Sequence, residues 1–354
     1  MRAVRRCVAA LLACSAMAWL PADAAAPAPA GAASAPIAPA EHQRGVEQTF
    51  LTYPEWFLVF SPAEYAEFAR RAQPHDFPFL GHVRQFWQGY GAVVRESQAM
   101  GHELNPGYHL MIMVIGVSTS VEYALRSAYE RLLGRLSDAV ASIRTPEDEL
   151  AAKVAQDYVD FIRVLPWYEY DFWGQLKKLW TEVPAIGPGM LRKWERRYAL
   201  TTEYGIKALY GQLIKLGTKS IYDTPLLVTA VVVQPAPKAD PKMPDLQVLQ
   251  GFPDESALIT IPRYDAFMTY AQALAAQGLD FREIAGNRSI ILVSLIGAHD
   301  WEPRTGVDKR LLEQPILTQP GRKRVVATAQ VQHLGAALRE WAQAGVQVEH
   351  VFDY

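Results

Sequence analysis

Apolar residues along the chain recur at three-to-four spacing up to about residue 222 and in alternating or unbroken runs beyond it. That change of period predicts a helical region followed by one that contains strands. Ser61-Pro62-Ala63-Glu64 combines a Ser N-cap, a Pro at the first helical position and a Glu at the third. Thr145-Pro146-Glu147-Asp148 repeats the device, so helices are expected over about 62–72 and 146–164. Gly107 to Leu136 is free of Pro, and from Tyr198 onward Ile206, Leu209, Tyr210, Leu213 and Leu216 keep a helical spacing.

In the second region, Leu226–Val233 and Ile290–Ile296 are rich in β-branched residues and leucine and bounded by turn residues, which predicts strands. An ungapped internal repeat aligns 258–284 with 325–351, pairing Leu258 with Val325, Phe267 with Leu334, Leu274 with Trp341, Gly278 with Gly345 and Ile284 with Val351. Each copy reads strand, helix, glycine, strand, with the glycine expected in the left-handed conformation that ends the helix. Two βαβ units with the 290–296 strand added predict a ferredoxin-like sheet with helices on one face. The expected class is α+β, a mostly helical region at 43–222 followed by a ferredoxin-like, duplicated βαβ region at 223–354.

The first residues change the picture of where the chain works. Arg2, Arg5 and Arg6 precede an apolar stretch from Cys7 to Leu20, then Pro21-Ala22-Asp23-Ala24-Ala25. A positive start, an apolar stretch too short to span a bilayer and a small-x-small site predict a secretory signal over 1–24, cleaved between Ala24 and Ala25. Leu11-Leu12-Ala13-Cys14 offers a lipoprotein route as the alternative. Residues 25–42 are Ala- and Pro-rich and read as a disordered tether, and a second Pro-rich break lies between Pro235 and Pro244.

The two cysteines, Cys7 and Cys14, both fall in the predicted signal, so no disulfide is expected in the mature chain, which must be held by packing. Half of the residues are hydrophobic and 11% aromatic, enough for one or two cores. With a formal net charge of −2 and an export signal, a nucleic-acid partner is not expected.

Candidate chemistry is sparse. The eight histidines form no helical metal-binding pair, and the chain contains no Gly-x-Ser-x-Gly, phosphate-binding loop or dinucleotide fingerprint, so no metal or cofactor is expected. The helix at 108–123 is apolar on every side and then carries Ser118, Thr119, Ser120 and Glu122. It belongs either in a protein core or in lipid. Glu122 is expected to pair with Arg126 one turn on, or, with Ser118 and Thr119, to form a perturbed polar cluster in a pocket.

Aromatics crowd the helical region around 53–57, 86–87, 167–173 and Trp180. Between Leu191 and Lys219, seven basic residues stand against two acidic ones. Arg192, Lys193, Trp194, Arg196 and Arg197 are therefore the candidate surface for an anionic membrane or an envelope protein, with the apolar residues of that helix forming either an insertion face or a packing seam.

Three functional classes follow. The leading one is an exported, non-enzymatic envelope protein, periplasmic or associated with an envelope membrane, that binds a partner or lies on the bilayer. The others are a periplasmic enzyme using the Ser118–Glu122 cluster and an integral membrane protein held by the helix at 108–123.

Overall fold

The computed structural model describes residues 35–102, 105–141, 143–218, 227–303 and 305–352. The predicted signal, its Ala24–Ala25 site and most of the predicted tether lie outside the described residues. The chain is α+β: helices occupy its first part and two four-stranded antiparallel sheets its second. Contacts divide it into two compact units. One holds residues 56–87 and 110–218, and the other residues 35–55, 88–109 and 227–352.

The helices are α1 (Gln48–Ala69), α2 (Phe79–Ala99), α3 (Pro106–Tyr129), α4 (Arg135–Ala141), α5 (Pro146–Ile162), α6 (Phe172–Thr181) and α7 (Met190–Thr218). The Thr145 capping box forms as expected: the Thr145 hydroxyl accepts from the Asp148 amide, and the Asp148 carboxylate accepts from the Thr145 amide. The Ser61 cap does not. Helix α1 begins at Gln48 and runs through Pro62, and the Ser61 hydroxyl meets Tyr123 Oη at 2.9 Å instead. A buried side-chain partner and tertiary packing outweigh the local helix-start signal.

Between α3 and α4 the helix makes a π turn at Glu130–Gly134 without breaking, so Pro106–Ala141 is one continuous rod of 36 residues, ~54 Å long. Helix α7 packs antiparallel to this rod. The pairing runs in reverse order, with Glu122 beside Lys207, Arg126 beside Glu203, Glu130 beside Arg196 and Ser137 beside Glu195. Aromatic side chains fill the rest of the unit, Tyr170, Phe172 and Tyr204 in one cluster and Tyr65, Phe77, Phe79 and Tyr123 in another.

The second unit contains β1 (Val228–Gln234), β2 (Gln247–Gly251), β3 (Ala257–Pro262), α8 (Asp265–Ala276), β4 (Asp280–Ile284), β5 (Ile290–Ala298), β6 (Lys309–Pro315), β7 (Arg322–Gln330), α9 (Leu334–Gln343) and β8 (Gln347–Val351). The sheets have the orders β2-β3-β1-β4 and β6-β7-β5-β8. The two aligned βαβ copies therefore do not share one sheet, as the repeat alone predicted; each builds its own. The repeat also reaches further than its sequence signal, because β1 and β2 correspond to β5 and β6, and a bulge recurs between Val232 and Val233 and between Ser294 and Leu295. The Pro-rich stretch at 235–244 is the β1–β2 connection and not a domain boundary; Met243 within it is buried in the core.

Both glycines end their helices as expected. Gly278 and Gly345 have φ of 88° and 68°. The Leu279 amide donates to the Leu274 carbonyl and Gly278 to Ala275, while Val346 donates to Trp341 and Gly345 to Ala342. These are two copies of the same C-terminal motif. Leu274 and Trp341 are equivalently buried in one core shared by both sheets and both helices.

The outer faces of the sheets are covered by chain from before residue 56. Ala38 is buried against Ala230, Val232 and Leu258. The Ala38 and Ile37 amides donate to the buried Glu283 carboxylate at 2.7 and 3.0 Å. The tether predicted over 25–42 is thus engaged at its C-terminal end, because a buried carboxylate needs donors that two free backbone amides supply. On the second sheet, the Thr49 hydroxyl donates to the Phe352 carbonyl and accepts from the Leu292 amide.

Candidate functional site

Helix α7 presents its charges inward and its apolar side chains outward. Arg192, Lys193, Arg196 and Arg197 share a face with Leu200, Tyr204 and Ala208, and all seven are buried. Leu191, Trp194, Tyr198, Ile206, Leu209 and Leu213 share the other face, and all six are exposed. The sequence expectation for the four basic residues is therefore corrected: Arg192 is 0% exposed and cannot form a lipid or partner surface. Of that set only Trp194 lies outside.

The reason is a matched set of acids. Arg196 grips Glu130 with both terminal nitrogens at 2.9 and 3.0 Å and reaches Glu195 through Nε at 2.8 Å. Arg192 donates to Asp148, Glu195, Ser137, Gln73 and the Gly134 carbonyl. Lys193 and Arg197 take one oxygen each of Glu147, at 2.9 and 2.8 Å. Four cations meet four carboxylates in a space sealed from water. Burial pushes the Glu195 carboxyl up, but the Arg196 hydrogen bond and charge outweigh it and hold the group below its ordinary value. Such a network replaces hydration with fixed partners, since an unpaired charge in the interior is far too costly. Gly134 is required here: a Cβ on it would sit 2.3 Å from the Glu130 carboxylate.

The rod formed by α3, the π turn and α4 is inverted in the same way. Its buried positions are Ile112, Gly116, Tyr123, Ser127, Glu130, Gly134 and Ser137, five of them polar or glycine. Its exposed positions include Leu110, Met113, Val117, Val121, Leu125, Leu132, Leu136 and Val140, with Leu132 and Leu136 71% and 62% exposed. Only 17% of its most apolar stretch is buried, so neither a core helix nor a packing seam with Ile206, Leu209 and Leu213 describes it. A ring contact between Tyr129 and Tyr198 at 6.2 Å joins the apolar stripes of the two antiparallel helices. Trp180 meets Trp194 at the same distance and extends the surface onto α6.

Two cations stand in this apolar face. Arg131 and Arg135 are exposed, one turn apart, among Leu132, Leu133 and Leu136. Among the described residues neither guanidinium has an ion-pair or hydrogen-bond partner. Helix α5 differs: after Pro146 at its first position, its exposed residues Glu149, Lys153, Asp157 and Asp160 are all charged, as a water-facing helix requires.

The candidate polar cluster does not assemble. Glu122 is half-exposed and pairs with Lys207 at 3.0 Å, not with Arg126. Arg126 donates to Glu203 at 3.2 Å and to Tyr65 Oη at 2.6 Å and lies over the Tyr65 ring. Thr119 borders a cavity of about 10 Å³ with Ser61, His82, Ser120 and Tyr123, room for one water molecule and not for a substrate. Ser118 lines no part of it. Among the described residues, no three His, Cys, Asp or Glu side chains come together to hold a metal ion.

Comparison with known proteins finds no matching family model, no matching curated protein and no matching solved structure.

Proposed function

We propose that this is an exported, non-enzymatic envelope protein whose helical unit lies on an anionic membrane, inserting the apolar face of α3–α4 and α7 into one leaflet. The observation that carries the reading is the inverted polarity of two long adjacent helices. A water-soluble monomer rarely exposes a contiguous apolar patch beyond a few hundred Å². Here the patch runs along two helices with their charges neutralised inside, and tryptophans and a tyrosine pair sit along it, side chains suited to the boundary between headgroups and acyl chains.

Lying on the bilayer is favoured over crossing it. The rod is long and apolar enough to span by length and composition. A spanning bundle, however, needs apolar surface on every outward side, and the exposed charges of α5 break that requirement. One apolar side next to charged ones is the pattern of an interfacial helix pair. Arg131 and Arg135 supply the attraction to anionic headgroups, about 1 kcal/mol each near the surface. The duplicated unit outside this face supports a ferredoxin-like reading of each half, since β4-β1-β3-β2 is the strand order of that fold with a loop in place of its first helix.

Sedimentation with vesicles of anionic phospholipid tests the proposal. Wild-type protein is expected in the pellet, with a salt-sensitive part lost in Arg131→Gln/Arg135→Gln. Protein that stays in the supernatant at low salt contradicts it.

A further inference from the structure

The duplication supplies an internal comparison for the positions of its second copy. With 258–284 laid on 325–351, Gln330, His333, Ala337 and Glu340 stand where the first copy has Arg263, Ala266, Tyr270 and Ala273. In the first copy the Tyr270 ring is buried, and its hydroxyl accepts from the Asp245 amide at 3.1 Å and donates to the Asp245 carboxylate at 3.0 Å. That ring ties α8 to the β1–β2 connection. The second copy has alanine there, and the β5–β6 connection meets its helix differently. Gly306, at φ 71°, lies so close that a Cβ on it would sit 2.4 Å from the Ala337 Cβ.

Beside this contact a cavity of about 190 Å³ opens between the connection and α9. The connection runs lengthwise along the helix: the Asp308 amide donates to the Thr328 carbonyl at the N-terminal end, while Gly306 lies over Ala337 near the Trp341 ring. The cavity therefore has two polar ends. Asp308, Gln330 and His333 line one and Thr305 and Glu340 the other, with Val307, Ala336 and Ala337 as the apolar wall between them. His333 and Glu340 stand two helical turns apart, which separates the ends by about 10 Å. Among the described residues, neither the Asp308 nor the Glu340 carboxylate has an ion-pair or hydrogen-bond partner. The cations that adjoin them in sequence, Lys309 and Arg339, are taken by Glu96 and Asp280.

We infer that this cavity binds a small aliphatic dication, with an amine or guanidinium group at each end of a short methylene chain. Unpaired carboxylates on a surface are ordinary; two held at opposite ends of one apolar-walled cavity are a recognition pattern. Asp308 takes one charged end, with the Gln330 amide oxygen and a His333 ring nitrogen as further acceptors, and Glu340 takes the other with the Thr305 hydroxyl. The methylenes lie along Val307, Ala336 and Ala337. A single metal ion does not match, because these acidic groups do not converge on one point. An anion meets like charge at both ends. The inference is independent of the membrane reading, because every residue that lines the cavity lies in the unit that holds the sheets.

The test is isothermal titration of the full chain in mild detergent, at constant ionic strength, with the α,ω-diamines from diaminopropane to diaminohexane and with butylamine as the single-charge control. A diamine of matching length is expected to bind once per chain, and butylamine roughly tenfold or more weaker, the loss of one charge-assisted hydrogen bond. Asp308 and Glu340 are exposed, so Asp308→Asn and Glu340→Gln are expected to keep the melting temperature while each weakens diamine binding by a similar factor. Ala336→Leu, which fills the cavity and leaves both carboxylates in place, is expected to abolish binding. No binding of any diamine at millimolar concentration overturns the inference. So does butylamine binding as tightly as the diamines, or diamine binding that survives unchanged in Asp308→Asn/Glu340→Gln or in Ala336→Leu.

Discussion

The guanidinium of Arg196 and the carboxylate of Glu130 form a two-pronged pair in which both side chains are almost completely removed from water. Glu130 opens the π turn, so the local widening of the helix aims this carboxylate inward while Leu132 and Leu133 stay outside. Breaking such a pair leaves a buried charge alone, at about 3–5 kcal/mol. Glu130→Leu is therefore expected to lower the denaturation midpoint sharply. Glu130→Leu/Arg196→Met is expected to be less destabilised than the sum of its single changes, measured by chemical denaturation as a double-mutant cycle.

The basic residues of α7 offer a second check with the opposite sign to the one their sequence suggests. If Arg192, Lys193, Arg196 and Arg197 formed a lipid surface, changing them to Gln would leave the fold intact and weaken binding. Their burial predicts a partly unfolded protein by circular dichroism, whereas Arg131→Gln/Arg135→Gln is expected to keep its melting temperature within a few degrees.

For the repeat, replacing Gly278 or Gly345 by Val is expected to destabilise by about 1–2 kcal/mol each. A Cβ at either site meets no atom within 4 Å, so the whole effect is the strain of a β-branched residue at positive φ. Thermal unfolding of the two variants should show losses of similar size, since the two sites are equivalent.

His350 gives a pH signature. Its ring is buried, and burial pushes its pKa down to about 3. The unfolded chain takes up a proton near 6.5, while the folded chain resists until about 3, so stability is present above 6.5 and is lost as pH falls through that window. Glu203, which burial pushes up but Arg126 and Lys207 hold down to about 2, loses its contribution only below about 4.5. Urea unfolding at pH 7 and pH 5 therefore leaves Glu203 out of the difference; because burial also lowers the His109 pKa and raises that of Glu55, His350→Leu is expected to shrink the difference without abolishing it.

Much of the architecture was legible in the residues. The change of period near 222, the Thr145 cap and the two glycine stops each rest on a local rule that survives in three dimensions. The Ser61 cap failed because Tyr123, sixty-two residues away, competes for the same hydroxyl. The number of sheets was illegible because the repeat signal sits only in β3 to β4 and β7 to β8, where core positions constrain it; β2 and β6 differ at nearly every residue. The polarity of α7 was misread for a different reason. A basic face and an apolar face look alike on a helix whichever way it turns, and only the acids at Glu130, Glu147 and Asp148, distant in sequence, decide which face is inside.

The most direct measurement places a polarity-sensitive fluorophore on single cysteines at Leu132 and at Asp157, in protein carrying Cys7→Ser and Cys14→Ser. Leu132 is exposed on the apolar face and Asp157 on the charged face of α5. With anionic vesicles, the account predicts a blue-shifted, enhanced emission at position 132 and an unchanged one at 157. An unchanged spectrum at 132, or equal shifts at both positions, would contradict it.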